Sequence, residues 1–258
     1  MTAGAQGIKN VTLELGGKSP LIIFEDANLK NAVKGALMAN FFTQGEVCSN
    51  GTRVFVQRGI YEEFIKEFVF QAKNMKIGDP LLDDTTVGAT ISEEHALKVL
   101  SYIRSAVSEG AKLEYGGERV LLEGDCKDGW FLSPAVLTNC RDDMKAVKEE
   151  IFGSVASVLV FDTEKEVVER ANDTVFGLAG GVFTNNLTRA HRVISQIQAG
   201  TTWINTFNLS PAEVPFGGWK MSGIGRENGW AGIDHYTQYK TTYVEMNDVD
   251  CGQLYTEH

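Results

Sequence analysis

The chain has no C-x-x-C pair. Its four cysteines, Cys48, Cys126, Cys140 and Cys251, are scattered along 258 residues, a spacing that suits neither a zinc site nor a disulfide framework. A reducing, cytoplasmic setting is therefore the expectation. The four histidines, His95, His191, His235 and His258, form no H-E-x-x-H cluster, so no transition-metal site is suggested. Positive charge is also short. With 24 Lys and Arg against 34 Asp and Glu, the net charge of −10 has the wrong sign for a nucleic-acid surface. No apolar run approaches the roughly 18 residues of a membrane span, and Met1 to Asn10 lack the charged-then-apolar order of a signal peptide. A phosphate-cradling G-x-G-x-x-G loop is missing too; Gly223-x-Gly225-x-x-Asn228 has asparagine in the third place.

What is present is a regular alternation of elements. The 43% hydrophobic and 22% charged residues are those of an ordinary globular chain, long enough for one large core or two modest ones. Residues 20–24 are a short apolar run, and Asp26 stands where a helix cap is needed before Leu29, Ala32, Val33, Ala36, Leu37 and Phe41. Thr52 to Val56 is β-branched and strand-like. Tyr61 to Met75 repeats at helical period, as do residues 92–109 with Ser92 as cap. Val155 to Phe161 reads as a strand covered on both faces, and Thr163-x-x-Glu166 as a capping box. Leu178 to Phe183, a helix from Leu187 to Gln198 and a strand from Thr201 to Asn205 complete the series, with 116–130 an exposed loop. Such alternation predicts an α/β fold with helices on both faces of a parallel sheet. Gln238 to Met246 reads as a last strand that needs a partner edge, in this chain or another subunit.

Two segments carry chemistry. Cys48 lies in the bend Gly45-Glu46-Val47-Cys48-Ser49-Asn50-Gly51. Most cysteines are small buried hydrophobes, but glycines on both sides describe a turn that presents a thiol beside backbone N–H groups. Glu14 follows a strand-like Val11-Thr12-Leu13 and precedes Gly16-Gly17, where backbone approaches a ligand closely. Surface solvation is the competing reading of a lone glutamate.

Taken together, Leu13-Glu-Leu-Gly-Gly-Lys-Ser-Pro20 and Phe41-Phe-Thr-Gln-Gly-Glu-Val-Cys48 resemble the two signature motifs of the aldehyde dehydrogenase superfamily. Glu149-Glu-Ile-Phe-Gly153, Asn172-Asp-Thr-x-Phe-Gly-Leu178 and Pro215-Phe-Gly-Gly-Trp-Lys-Met-Ser-Gly223 agree, in the family's order, across residues 8 to 248. The runs Ile204 to Glu213, Gly225 to Gly229 and His235-Tyr-Thr look like the betaine-aldehyde branch. Cys140-Arg-Asp-Asp-Met and Ala190-His-Arg-Val resemble its trimethylaminobutyraldehyde sibling.

The resemblance implies NAD-dependent oxidation of a small aldehyde through a cysteine thiohemiacetal and thioester, with Cys48 as nucleophile and Glu14 as the base that activates water. The Cys48 N–H would help hold the oxyanion. By the same resemblance Glu150 binds the nicotinamide-side ribose, Phe152 packs beside the ring, Gly16 lets backbone lie against it, and Glu227 joins a proton relay. Taken singly, Glu150 and Phe152 read as a helix-end carboxylate and a core aromatic, and Glu227 as half of a surface ion pair. Ile8, Lys220 and Gly223 fall where the betaine-aldehyde enzymes offer carbonyls to K+. Phe207, Phe216 and Trp203 stand as candidates for an aromatic pocket near a quaternary ammonium, against the alternative of ordinary core aromatics.

The implied layout is residues 1–14 as the end of a cofactor-binding domain and 15–236 as the catalytic domain, with 205–236 returning toward the cofactor side. Residues 237–258 would be an oligomerisation strand and tail, in a homo-oligomer. Relative to the family pattern the chain starts past the glycine-rich cofactor loop, and Ala89 and Ser154 stand where proline is usual. Two readings follow: an aldehyde dehydrogenase holding nucleophile, base and one ribose ligand, or a truncated, catalytically incompetent module that associates with full-length subunits.

Overall fold

Seven strands make one sheet in this computed structural model, which describes residues 1–249 and 252–254. They are β1 (Pro20–Ile23), β2 (Arg53–Gln57), β3 (Lys112–Tyr115), β4 (Ala135–Thr138), β5 (Val155–Phe161), β6 (Ala179–Phe183) and β7 (Thr201–Ile204). Their order across the sheet is β7-β6-β1-β2-β5-β4-β3. Every neighbouring pair is parallel except the antiparallel edge pair β3–β4. The α/β class read from the alternation is the one observed.

Side chains one residue apart on a strand point to opposite faces, so each buried strand feeds two cores. Ile22 and Phe55 join the core beneath α3 (Glu93–Ser108), α4 (Glu164–Asn172) and α5 (Leu187–Ile194). Leu21, Ile23, Val54 and Val56 join the other, beneath α1 (Leu29–Phe41) and α2 (Tyr61–Lys73). Ser92 caps α3 by accepting from the His95 N–H at 3.2 Å. Thr163 and Glu166 form the complete capping box on α4.

Three expectations are corrected. The cap of α1 is Asn28, whose Oδ1 accepts from the Asn31 N–H at 3.0 Å. Asp26 is engaged elsewhere, accepting from Thr184 Oγ1 at 2.7 Å and Arg189 Nη1 at 3.1 Å. Helix α5 stops at Ile194, before Gln198. Residues 238–246 are exposed and pair with no sheet edge among the described residues, so of the two partner edges expected for them, in this chain or in another subunit, the first is corrected. The end of the tail (Asp250, Cys251 and 255–258) lies outside the described residues.

Where the segments preceding the strands converge decides where chemistry is placed. Gly16 and Gly17 lead into β1, Cys48 precedes β2, Phe152 precedes β5 and Phe176 to Leu178 precede β6. The motif residues thus collect at the amino ends of four parallel strands, the opposite end from the usual ligand crevice of open α/β sheets.

Candidate active site

Helix α1 ends at Phe41 and the chain turns at once through left-handed Thr43 (φ 50°), Gln44 (φ 55°) and Gly45 (φ 73°). A non-glycine residue adopts that conformation only when its surroundings hold it. They do so here: Gln44 Oε1 accepts from the Gly88 N–H at 3.0 Å, and Glu46 Oε1 accepts from the Ile91 N–H at 3.1 Å. Gly45 is required by more than its φ, since a Cβ there would run into the Gly153–Ser154 backbone. The turn then closes with the Asn50 N–H donating to the Val47 carbonyl at 3.2 Å, leaving Cys48 half-buried at its corner.

Glu14 belongs to a separate two-stranded ribbon, Leu13–Glu14 paired antiparallel with Gly223–Ile224, in which Glu14 stands opposite Gly223. Ser222, fully buried, locks this ribbon to the main sheet. Its hydroxyl donates to the Gly16 carbonyl at 2.7 Å and accepts from the Gly177 N–H at 2.9 Å. That residue had no signal in the sequence beyond its place in a motif.

Gly16 and Gly17 are the junction. The Gly17 N–H donates to Glu150 Oε1 at 3.0 Å. A Cβ on Gly16 would occupy the space of the Glu150 carboxylate, and one on Gly17 would lie 2.5 Å from the Cys48 carbonyl oxygen. Glycine is needed at both positions because Glu150 and the Cys48 turn press against the same corner. Glu150 itself is half-buried, two residues past the short helix Lys145–Lys148. Phe152, left-handed at φ 61° and 37% exposed, presents its ring beside His95, whose Nε2 meets the Phe152 carbonyl at 2.5 Å.

The electrostatics agree with this gathering. Burial, the Glu14 carboxylate and Glu150 push the Cys48 thiol above its ordinary range, while the backbone N–H groups of Cys48 and Ser49 pull it down. Partial burial and Glu227 raise Glu14, with Arg226 opposing. Glu227 and Phe216 are themselves paired, each N–H donating to the other's carbonyl at 2.8 Å. The Cys48 thiol thus senses the carboxylates of Glu14 and Glu150, and Glu14 senses that of Glu227.

Phe207 is buried under the turn: a Cβ on Gly51 would lie 2.7 Å from its ring, and Trp203 packs against it, its ring tilted by 43° with centroids 4.6 Å apart. Both aromatics thus belong to the core beneath α1 and α2. Phe216 is half-buried. Lys220 is left-handed (φ 49°), its Nζ donating to the Asn172 carbonyl at 2.8 Å and the Thr174 carbonyl at 3.1 Å. Ile8 is 97% exposed in the turn after the helix Thr2–Ala5. Among the described residues no group of three or more His, Cys, Asp and Glu side chains could hold a metal, and no helix is long and apolar enough to cross a membrane.

The residues present fit one end of a nicotinamide dinucleotide. A fixed carboxylate at Glu150 offers acceptors for ribose hydroxyls, and the Phe152 ring offers a flat apolar face.

Comparison with known proteins gives a consistent answer. The profile of the Aldehyde dehydrogenase family matches residues 1–242. The 4-trimethylaminobutyraldehyde dehydrogenases of Bos taurus and Homo sapiens are each 60% identical over 251 residues, 97% of this chain and 51% of theirs. An NAD+ complex of aldehyde dehydrogenase from Bacillus cereus superposes with a TM-score of 0.91 at 47% identity, over 96% of this chain and 49% of that one. Betaine aldehyde dehydrogenase from Staphylococcus aureus in complex with NAD+ gives 0.88 at 44% identity, over 92% and 47%. The chain spans about half the length of the curated relatives it matches.

Proposed function

The chain belongs to the aldehyde dehydrogenase family, and from that premise we propose that it carries the thiol chemistry of an NAD-dependent oxidation of a trimethylammonium aldehyde. The observation behind this reading is the shared corner at Gly16–Gly17, where the carbonyl of Cys48 and the carboxylate of Glu150 meet the strand that bears Glu14. The names of the relatives, 4-trimethylaminobutyraldehyde and betaine aldehyde dehydrogenases, support the substrate class.

In this reading Cys48 Sγ, after giving up its proton, adds to the aldehyde carbonyl to form a thiohemiacetal alkoxide. The Cys48 N–H holds that oxygen. A nicotinamide cofactor would be held at its ribose by Glu150 and beside its ring by Phe152, and would accept the hydride that leaves the thiohemiacetal carbon. The resulting thioester on Cys48 is hydrolysed by a water whose proton goes to Glu14, with Glu227 receiving it onward. Sulfur suits both halves of the cycle, because a thiolate attacks well and leaves well. With both groups raised, Glu14 protonation and Cys48 ionisation are coupled: the thiolate forms most readily when the carboxyl holds the proton.

The test is protection of the thiol. A trimethylammonium aldehyde should slow iodoacetamide labelling of Cys48 more than an uncharged aldehyde of equal length does. Equal protection would overturn the substrate class, and labelling of Cys126 as fast as Cys48 would overturn the nucleophile.

A second reading, an interaction module seated on full-length subunits, is favoured by one observation. Residues 237–249 are exposed throughout, with Tyr239, Tyr243 and Met246 in open solvent. Exposed aromatic and apolar side chains on unpaired backbone suit addition to another subunit's sheet edge.

A further inference from the structure

The turn that carries Cys48 is held from the side by an amide to which the mechanism above gives no role. Asn208 follows buried Phe207 in the loop after β7 and is itself left-handed, at φ 57°. Its Oδ1 accepts from Ser49 Oγ at 2.7 Å. Its Nδ2 donates to Asn50 Oδ1 at 2.8 Å and to the Met38 carbonyl in α1 at 3.2 Å. The orientation of the amide is fixed by chemistry: a backbone carbonyl only accepts, so the nitrogen must face Met38, and the oxygen is left for the Ser49 hydroxyl.

One side chain therefore ties the two residues after Cys48 to the helix before it. Ser49 and Asn50 are both buried, so these bonds are made away from water. The arrangement has a cost. With its Oδ1 turned to Asn208, Asn50 keeps its own Nδ2 buried without a partner among the described residues, and an unsatisfied buried donor is destabilising by about 1–3 kcal/mol. An apolar side chain at this position would avoid that cost.

We propose that Asn208 is the positioning residue of the nucleophile turn. Its amide fixes Ser49 and Asn50, and with them the backbone N–H groups of Cys48 and Ser49 that border the sulfur. Without it the turn relaxes, those dipoles rotate away, and the thiolate loses the stabilisation that offsets burial and the neighbouring carboxylates. The inference rests on Cys48 being the nucleophile, as proposed above.

The experiment is the pH profile of Cys48 alkylation by iodoacetamide, followed by mass spectrometry, in the full chain. Asn208→Ala should shift the profile upward by about one pH unit, read as an approximately tenfold slower reaction below the midpoint. Leu209→Ala, an exposed change in the same loop, should leave it in place. Ser49→Ala removes one bond from the other end and should shift the profile in the same direction by less, which keeps the test open if Asn208→Ala does not fold. Profiles of Asn208→Ala or Ser49→Ala that superpose on the unmodified chain, with only the melting temperature lowered, would overturn the proposal. If Cys48 in the unmodified chain is not labelled ahead of Cys126, the nucleophile assignment fails instead, and the proposal with it.

Discussion

Gly17 donates its N–H to Glu150 Oε1 at 3.0 Å across 133 residues of sequence, and the same glycine faces the carbonyl of Cys48. A methyl group at this position has nowhere to go: Leu178 Cβ closes the remaining side at 3.2 Å. Gly17→Ala should destabilise the chain by about 1–3 kcal/mol, the usual effect of overpacking against backbone. It should also slow alkylation of Cys48, because the carbonyl that must retreat belongs to the nucleophile. Thermal melts and labelling rates check both, and an unchanged labelling rate in a folded variant would break the link between the corner and the thiol.

The carboxylate of Glu14 raises the Cys48 thiol, so removing that charge must lower it. Glu14→Gln should move the alkylation profile of Cys48 to lower pH. The same variant should be slow in any hydrolytic step that needs a base. A profile that stays put would mean the two groups do not sense one another.

Lys18 is a liability at the heart of the motif. It is 1% exposed, its Nζ has no hydrogen-bond partner among the described residues, and burial, with Arg53 adding, lowers its pKa to about 7. Unfolded, the same lysine titrates near 10.5, as an exposed lysine does. Between those values the unfolded chain holds more protons than the folded one, so stability rises as pH goes from about 7 towards about 10. Below pH 7 both states are charged and the full penalty applies. Lys18→Met should raise the melting temperature near pH 7, by a free energy on the order of 1–3 kcal/mol, and should flatten this alkaline rise. A melting temperature lowered by the substitution would show that the ammonium has a partner of greater worth than its desolvation.

How far the sequence could be read depended on whether an element's identity is local. The strand Val155–Phe161 and the capping box at Thr163 and Glu166 are set by residues within a few positions, and both stand where the pattern predicts. The cap at Asp26 fails because Thr184 and Arg189, far along the chain, claim that carboxylate and leave Asn28 to do the capping. Residues 238–246 have the composition of a strand, yet a strand exists only with a partner edge, which no pattern in those residues supplies. At the site, the bend around Cys48 was legible from its glycines. Ser222 and Asn208 were not, since a serine hydroxyl or an asparagine amide gains meaning only from the distant backbone it meets.

The central claim is that Cys48 forms an acyl group which Glu14 helps water to remove. The most direct measurement is intact-mass and peptide mapping of the chain after a pulse of p-nitrophenyl acetate, in the unmodified sequence and in Glu14→Gln. The account predicts an acetyl adduct on Cys48 that decays in the unmodified chain and persists in the variant. An adduct on another residue, or decay at the same rate in both, would contradict it.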